Sequence, residues 1–576
     1  MAVLDMVGIA SIFPFLNVMT NPDVIQENPQ LKWAYNYFNF NNKDSFLVAL
    51  GIAAFVLLIV NNLLRAGISI VLIRFSYLKR YTLSKLLLEK YLYEPYAFFL
   101  NRNTSELTAY LASEIAQIVS GILIPCLQVF ARALMALLII ILLVVVNPVV
   151  ASVVIVVIGG GYIIMYGLVR KTLSHLGAEM TKHNKKIYKA LSEAFGGIKD
   201  IKVLNREEIF IDKFIASVKR SNDCFCWKYI IFQMPRYAFE ILVFGGMLFI
   251  VIFIVVIQDN YQNVVPIIGL YAFAAYRLMP TLQQIYQDIA NIRSSLFALN
   301  VVYQDYMTCS GKPETNLIRR DQKFSFSKEI KFQNVSFQYP KAQEPVIGNL
   351  NITIKANTTV GLVGGSGAGK TTLTDILLGL FRPQQGEIIV DGQIINQENL
   401  RQWQANIGYV PQHIYLCDDT VTRNIAFGVS DEEIDRKAVQ RAARLSSIHD
   451  FVVQELPNGY ETEVGERGVR LSGGQRQRLG IARALYHSPS LLVFDEATSA
   501  LDGITEDIIL EAIHNLAHKK TIILIAHRLS TVKECDIIYM LSHGKVVDQG
   551  AYDELLSKNQ QFRKMAKVST AETNGS

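Results

Sequence analysis

A helical membrane domain of six spans, followed by an α/β domain built around a phosphate-binding loop, is the architecture this sequence predicts. Apolar runs near bilayer length crowd the chain before about residue 300. After that point, charged residues, glycine punctuation and strand-helix alternation take over. An apolar strand at Val360–Val363 runs into Gly364, Gly365, Ser366, Gly367, Ala368, Gly369, Lys370 and Thr371, a glycine spacing that lets a backbone wrap phosphates. The chain has 576 residues and is 51% hydrophobic, with mean hydropathy +0.25, so it is longer and more apolar than an ordinary soluble domain. The expected boundaries are a membrane domain over 1–300 with long cytoplasmic helical extensions, a linker over 301–328, the phosphate-loop domain over 329–565 and a polar tail over 566–576.

The first span, Met1 to Met19, is barely long enough to cross, contains Asp5 and Pro14 and has no positive flank, so it is not an ordinary signal peptide. Either its helix lacks an N-terminal part, the favoured expectation, or it is short and tilted, with Asp5 facing a cavity or a neighbouring helix. Five spans follow, at Phe46–Leu64, Gly121–Val146, Val149–Val169, Phe239–Ile257 and Val264–Met279. Lysines and arginines gather after the second span (Arg74, Lys79, Arg80, Lys85, Lys90) and after the fourth (Lys182, Lys185, Lys186, Lys189, Lys199, Lys202). That bias puts both segments and both chain ends in the cytoplasm. The net charge of +6 belongs to these flanks, so the expectation is a membrane protein and no nucleic acid partner. The six cysteines show no metal-clasp spacing.

In the second half, Lys370 is placed to neutralise the β- and γ-phosphates, the Thr371 hydroxyl to ligate Mg²⁺, and Thr372 to open the following helix. Leu491–Phe494 reads as a buried strand ending at Asp495, which suits a contact to Mg²⁺ either direct or through the ion's bound water, with Glu496 next in line as general base toward the attacking water. ATP and Mg²⁺ are therefore the expected cofactors.

Together with Leu471, Ser472, Gly473, Gly474 and Gln475, these residues resemble the ATP-binding cassette family over essentially the whole chain. The resemblance implies that Tyr339 stacks on adenine and that Gln412 senses Mg²⁺ and the membrane domain. It also implies that His527 holds the γ-phosphate and that Asp502 closes the loop Ser499-Ala500-Leu501-Asp502. In that family the signature of one copy covers the nucleotide on the phosphate loop of another, which implies a homodimer with two ATP sites. The membrane part leads, and Thr462 to Gly468 precede the signature, as in exporters. Motion would pass through Glu94–Asn101 and Gly196–Asn205, the second expected to be a helix.

For the cargo, Arg65, Arg236 and Arg277 lie at or inside the membrane, where arginine facing lipid costs at least about 2.5 kcal/mol. A wet cavity holding an anionic ligand is one home for them; snorkelling, or pairing such as Arg236 with Glu240, is the other. Around Tyr276–Pro280 and Ser294–Leu296 the chain resembles bacterial flippases of lipid-linked oligosaccharides. That resemblance implies a pyrophosphate-linked glycolipid moved across the bacterial inner membrane by alternating access. It further implies an external helix within Val24–Phe40, whose aromatics (Trp33, Tyr35, Tyr37, Phe38, Phe40) engage membrane lipid or form an ordinary interfacial belt. Export of lipid A, drugs or peptides is the alternative, and an ATP-gated channel or regulatory membrane receptor is the alternative from another class.

Overall fold

The computed structural model describes residues 15, 18–19, 23–40, 42–146, 148, 152, 155–257, 264–309, 324, 326–340, 342–496, 503–526 and 528–573. It divides into two compact units, one of residues 1–94 and 98–313, the other of 95–97 and 314–576. Most of the first span, with Asp5, lies outside the described residues.

The membrane unit is helical throughout its described part. A short helix α1 (Pro29–Tyr37) begins where Asn28 accepts a hydrogen bond from the Gln30 amide, with proline in the first turn. Its Trp33 and Tyr37 rings stack at 5.0 Å and remain exposed, whereas Tyr35 turns inward against Phe46. Helices of very different length follow: α2 (Lys43–Leu92), then α3 (Tyr96–Leu100), whose first two residues belong to the other unit, α4 (Thr104–Ala109), α5 (Ile124–Val146), α6 (Gly160–Gly196), α7 (Ile198–Leu204), α8 (Glu207–Ile257) and α9 (Val264–Thr308). Two stretches among the described residues, Lys43–Leu92 and Thr104–Ile141, are helical, long and apolar enough to cross a bilayer. The 51 residues of α8 extend about 75 Å against a hydrocarbon core of about 30 Å, so the helix runs well past the lipid. The segment Gly196–Asn205 contains the expected helix, α7, which stops where Asn205 turns left-handed at φ 51°.

Small residues let these helices meet. A Cβ added at Gly177 of α6 would collide with the Ser294 carbonyl of α9, and one at Gly121 with the Ser295 hydroxyl. Polar ties run down α9. Asp288 pairs with Arg132, the Lys228 ammonium donates to the Asn291 side chain at 2.8 Å, and near the end of the helix Asp305 accepts from the Tyr91 hydroxyl at 2.5 Å and pairs with Arg102.

The second unit contains two sheets. β1 (Glu329–Phe337), β2 (Ile347–Lys355), β4 (Gln385–Val390) and β5 (Gln393–Ile394) form an antiparallel sheet in the order β2-β1-β4-β5. The other sheet runs β10-β9-β3-β8-β7-β6, where β3 is Thr359–Val363, β6 Ile407–Val410, β7 Leu491–Asp495, β8 Thr521–Ile525, β9 Ile537–Ser542 and β10 Lys545–Gly550. Its strands pair in parallel except at the β10 edge. Every residue of β3, β7 and β8 is buried, as expected of strands covered on both faces. Alternation along β7 sends Leu491 and Val493 into one apolar core and Leu492 and Phe494 into the other. The carboxyl ends of β3, β6 and β7 present the phosphate loop, Gln412 and the acidic pair.

Candidate nucleotide site

The phosphate loop follows β3 directly, and helix α10 (Lys370–Leu377) starts two residues before the expected Thr372. Gly369, left-handed at φ 97°, makes that entry, and a side chain there would strike Ile347. At Gly364 a Cβ would run into the Leu541 carbonyl, so the loop is held close against β9. Ser366 and Thr371 are exposed while Ala368 and Lys370 are buried. The Lys370 ammonium curls back, donating to the carbonyls of Gly364 at 2.8 Å and Gly365 at 3.1 Å. Burial pushes its pKa down, and the carboxylates of Glu496 and Asp495 push back. A buried cation held only by carbonyls, beside two acids, suits a loop that receives phosphate.

Asp495 ends β7 almost fully buried. Glu496 takes a left-handed conformation, φ 51°, costly for a residue with a Cβ, and its amide donates to the Ile525 carbonyl at 3.1 Å. The turn aims its carboxylate out of the strand line, where it accepts from the Gln412 amide at 2.6 Å. The exposed hydroxyl of Thr371, the Gln412 side chain and the Asp495 carboxylate are hard oxygen donors carrying one negative charge, a set that fits a Mg²⁺ keeping phosphate and water in its other positions. Tyr339 packs edge-on to Phe381, and its hydroxyl lies 3.0 Å from that of Thr372.

Leu471 is buried, and Ser472 caps helix α11 (Gly473–Leu485). The Ser472 hydroxyl accepts from the Gln475 amide at 3.2 Å, and the Gln475 side chain accepts from the Ser472 amide at 2.8 Å. Gly473 stands open and Gly474 is buried in the first turn. His527 and the loop Ser499–Asp502 lie outside the described residues.

Two residues with no expected role join the site. Tyr409 donates to the Asp495 carboxylate at 3.3 Å, and Asp375 is pushed up to about 6 by burial and by the Asp495 charge. The signal for Tyr409 is a polar-tipped aromatic near the carboxyl end of a strand, which acquires meaning only once β6 is known to lie beside β7. In the membrane unit, Arg236 donates to Glu240 at 2.8 Å, so the pairing that competes with cargo contact is formed. Arg65 sits within α2, half-buried, and the Arg277 side chain lies outside the described residues.

A helical membrane unit joined to a phosphate-loop domain with a capped signature helix defines a membrane transporter of the exporter type. Residues 12–280 match the model of the ABC transporter transmembrane region, and residues 347–499 match the model described as ABC transporter. The chain belongs to the ABC transporter family, with membrane and nucleotide-binding domains fused. An ATP-dependent lipid A-core flippase of Alkalilimnicola ehrlichii is 38% identical over 302 residues, 52% of this chain and 50% of that protein. ABC transporter B family member 15 of Arabidopsis thaliana is 44% identical over 229 residues, 40% of this chain and 18% of that protein. The matched part of the chain thus spans half or less of these relatives' length. The structure of a bacterial Atm1-family ABC exporter with ATP bound shares the fold, with TM-score 0.77 at 24% identity over 98% of this chain and 96% of that one.

Proposed function

We propose that this chain is a homodimeric ATPase that moves a phosphate-bearing glycolipid from the inner to the outer leaflet of the bacterial inner membrane, with both termini and the cassette in the cytoplasm. The observation that carries the ATPase reading is the Gln412–Glu496 hydrogen bond of 2.6 Å beside a buried Asp495 and a buried Lys370, on a chain that also holds a membrane domain.

Glu496 polarises the attacking water, His527 holds the γ-phosphate, and Lys370 with the loop amides 364–371 grips the β- and γ-phosphates. Mg²⁺, when bound by Thr371, Asp495 and Gln412, neutralises charge on the phosphate oxygens. Tyr339 covers adenine. Ser472 and the Gly473–Gly474 amides donate to the γ-phosphate held by a second copy, and Leu471, Gln475 and Asp502 frame that seam. Binding would close two copies and hydrolysis release them, rocking the membrane helices between inward-open and outward-open states.

A lipid-linked oligosaccharide is the preferred cargo. Dragging sugar hydroxyls through hydrocarbon costs roughly 4 to 8 kcal/mol per unpaired group, so a polar route is required. The exposed aromatics of α1 suit a partner that lies in the interface, and Arg65, Arg236 and Arg277 are the cationic candidates for its phosphates. A lipid A-core glycolipid is the second reading, favoured by the names of the flippase relatives. In liposomes, labelled lipid-linked oligosaccharide should reach the outer face only with MgATP, and lipid A or drugs should compete poorly. Preferential movement of lipid A would select the second reading, and ATP-dependent ion current without lipid movement would select a channel. Arg236→Ala with Arg277→Ala should slow flipping several-fold with basal ATPase retained, and unchanged flipping would return both to a structural role.

A further inference from the structure

Tyr409 lies one residue from the end of β6, facing Val493 of β7 in register, so its ring points along the same side of the sheet as the core under the antiparallel strands. Its phenol reaches the Asp495 carboxylate at 3.3 Å. That is long for a hydroxyl donating to a charged oxygen, so the contact has room to tighten.

Another aromatic on the same core comes from far away in sequence. The chain enters the cassette unit for residues 95–97 only, between the two membrane-unit stretches. There Tyr96 packs on Phe381 with ring centroids 5.8 Å apart, and Phe381 belongs to the core against which Tyr409 also packs. Phe381 continues to Tyr339 at 5.4 Å, and Ala97 packs against the same core. Residues 95–97 thus sit on an aromatic patch with one edge at the adenine-side tyrosine and the other at the metal-side carboxylate.

We propose that Tyr409 is a positioning residue that orients Asp495 toward the metal, and that Tyr96 sets how firmly it does so. The inference rests on the ATP-binding reading above. A carboxylate at a strand end can rotate about its side-chain bonds, and a donor fixed on the adjacent strand removes that freedom without touching nucleotide. Seating Tyr96 against Phe381 limits the space into which the Tyr409 ring can swing, so a small displacement at residues 95–97 is felt at the metal oxygen rather than at the phosphate loop.

The test is a titration of Mn²⁺, followed by its electron paramagnetic resonance signal, into the full-length protein holding a non-hydrolysable ATP analogue. Tyr409→Phe should weaken Mn²⁺ about tenfold while leaving analogue affinity in EDTA unchanged. Tyr96→Ala should weaken Mn²⁺ by a smaller factor, and Tyr96→Phe should restore it. Equal Mn²⁺ affinity in wild type and Tyr409→Phe, or an equal loss of analogue affinity in EDTA, would overturn the positioning role. A wild-type protein that binds no analogue would instead bring down the ATP-binding reading, and this inference with it.

Discussion

In the proposed mechanism Glu496 carries the heaviest duty of any single residue, and its left-handed backbone is the local cost of aiming a carboxylate past the strand end. Glu496→Gln keeps a Gln412 contact and removes the proposed base. It should retain ATP binding and lose about 10²- to 10⁴-fold in turnover, measured as phosphate release; near-normal hydrolysis would remove Glu496 from this role. Asp375 gives a pH-dependent counterpart. Its pKa rises from 3.8 to about 6 on folding, so the folded state holds this proton longer than the unfolded chain. Its contribution is most favourable below the unfolded value and is lost as pH climbs through about 6. Asp375→Asn should therefore raise the melting temperature at pH 8 and change it little at pH 4; equal shifts at both would contradict the linkage. At this scale the sequence is partly legible. Lys370, Thr371, Asp495 and Glu496 stand out because each follows an apolar strand at motif spacing. Tyr409 and Asp375 do not, because their importance comes from the β6–β7 pairing and from burial, which no local pattern encodes.

Elements show the same division. The strand, loop and helix over 359–377 are legible because five buried residues give way to glycines at the turn. The start of α10 shifts to Lys370 because the left-handed Gly369 releases the chain into the helix earlier than the hydroxyl pair suggests. The long membrane helices are legible as apolar runs flanked by basic residues. The interhelical ties are not: Arg132–Asp288 and the Asp305 cluster join positions far apart in sequence. Asp305, buried at the foot of α9, accepts from Tyr91 and pairs with Arg102, so removing it takes the side-chain partner from the buried Tyr91 hydroxyl and leaves Arg102 with Thr308. Asp305→Ala should lower the stability of the membrane unit by about 2 kcal/mol, read as a fall in melting temperature of the detergent-solubilised protein. No fall would mean that the cluster is merely solvated.

At the scale of the whole molecule, the proposed cycle joins a membrane domain, a phosphate loop and a capped signature helix, with nucleotide trapped between two copies. The exposed Ser366 of the phosphate loop and the exposed Ser472 at the start of α11 would be the two faces of that proposed seam. Cysteines placed at both, in the Glu496→Gln background, test it by oxidative cross-linking in membranes. With MgATP, a disulfide between Ser366→Cys of one copy and Ser472→Cys of the other should appear as a two-chain band, and it should fade when nucleotide is withdrawn. A cross-link that forms equally without nucleotide, or none at all with MgATP present, would contradict it.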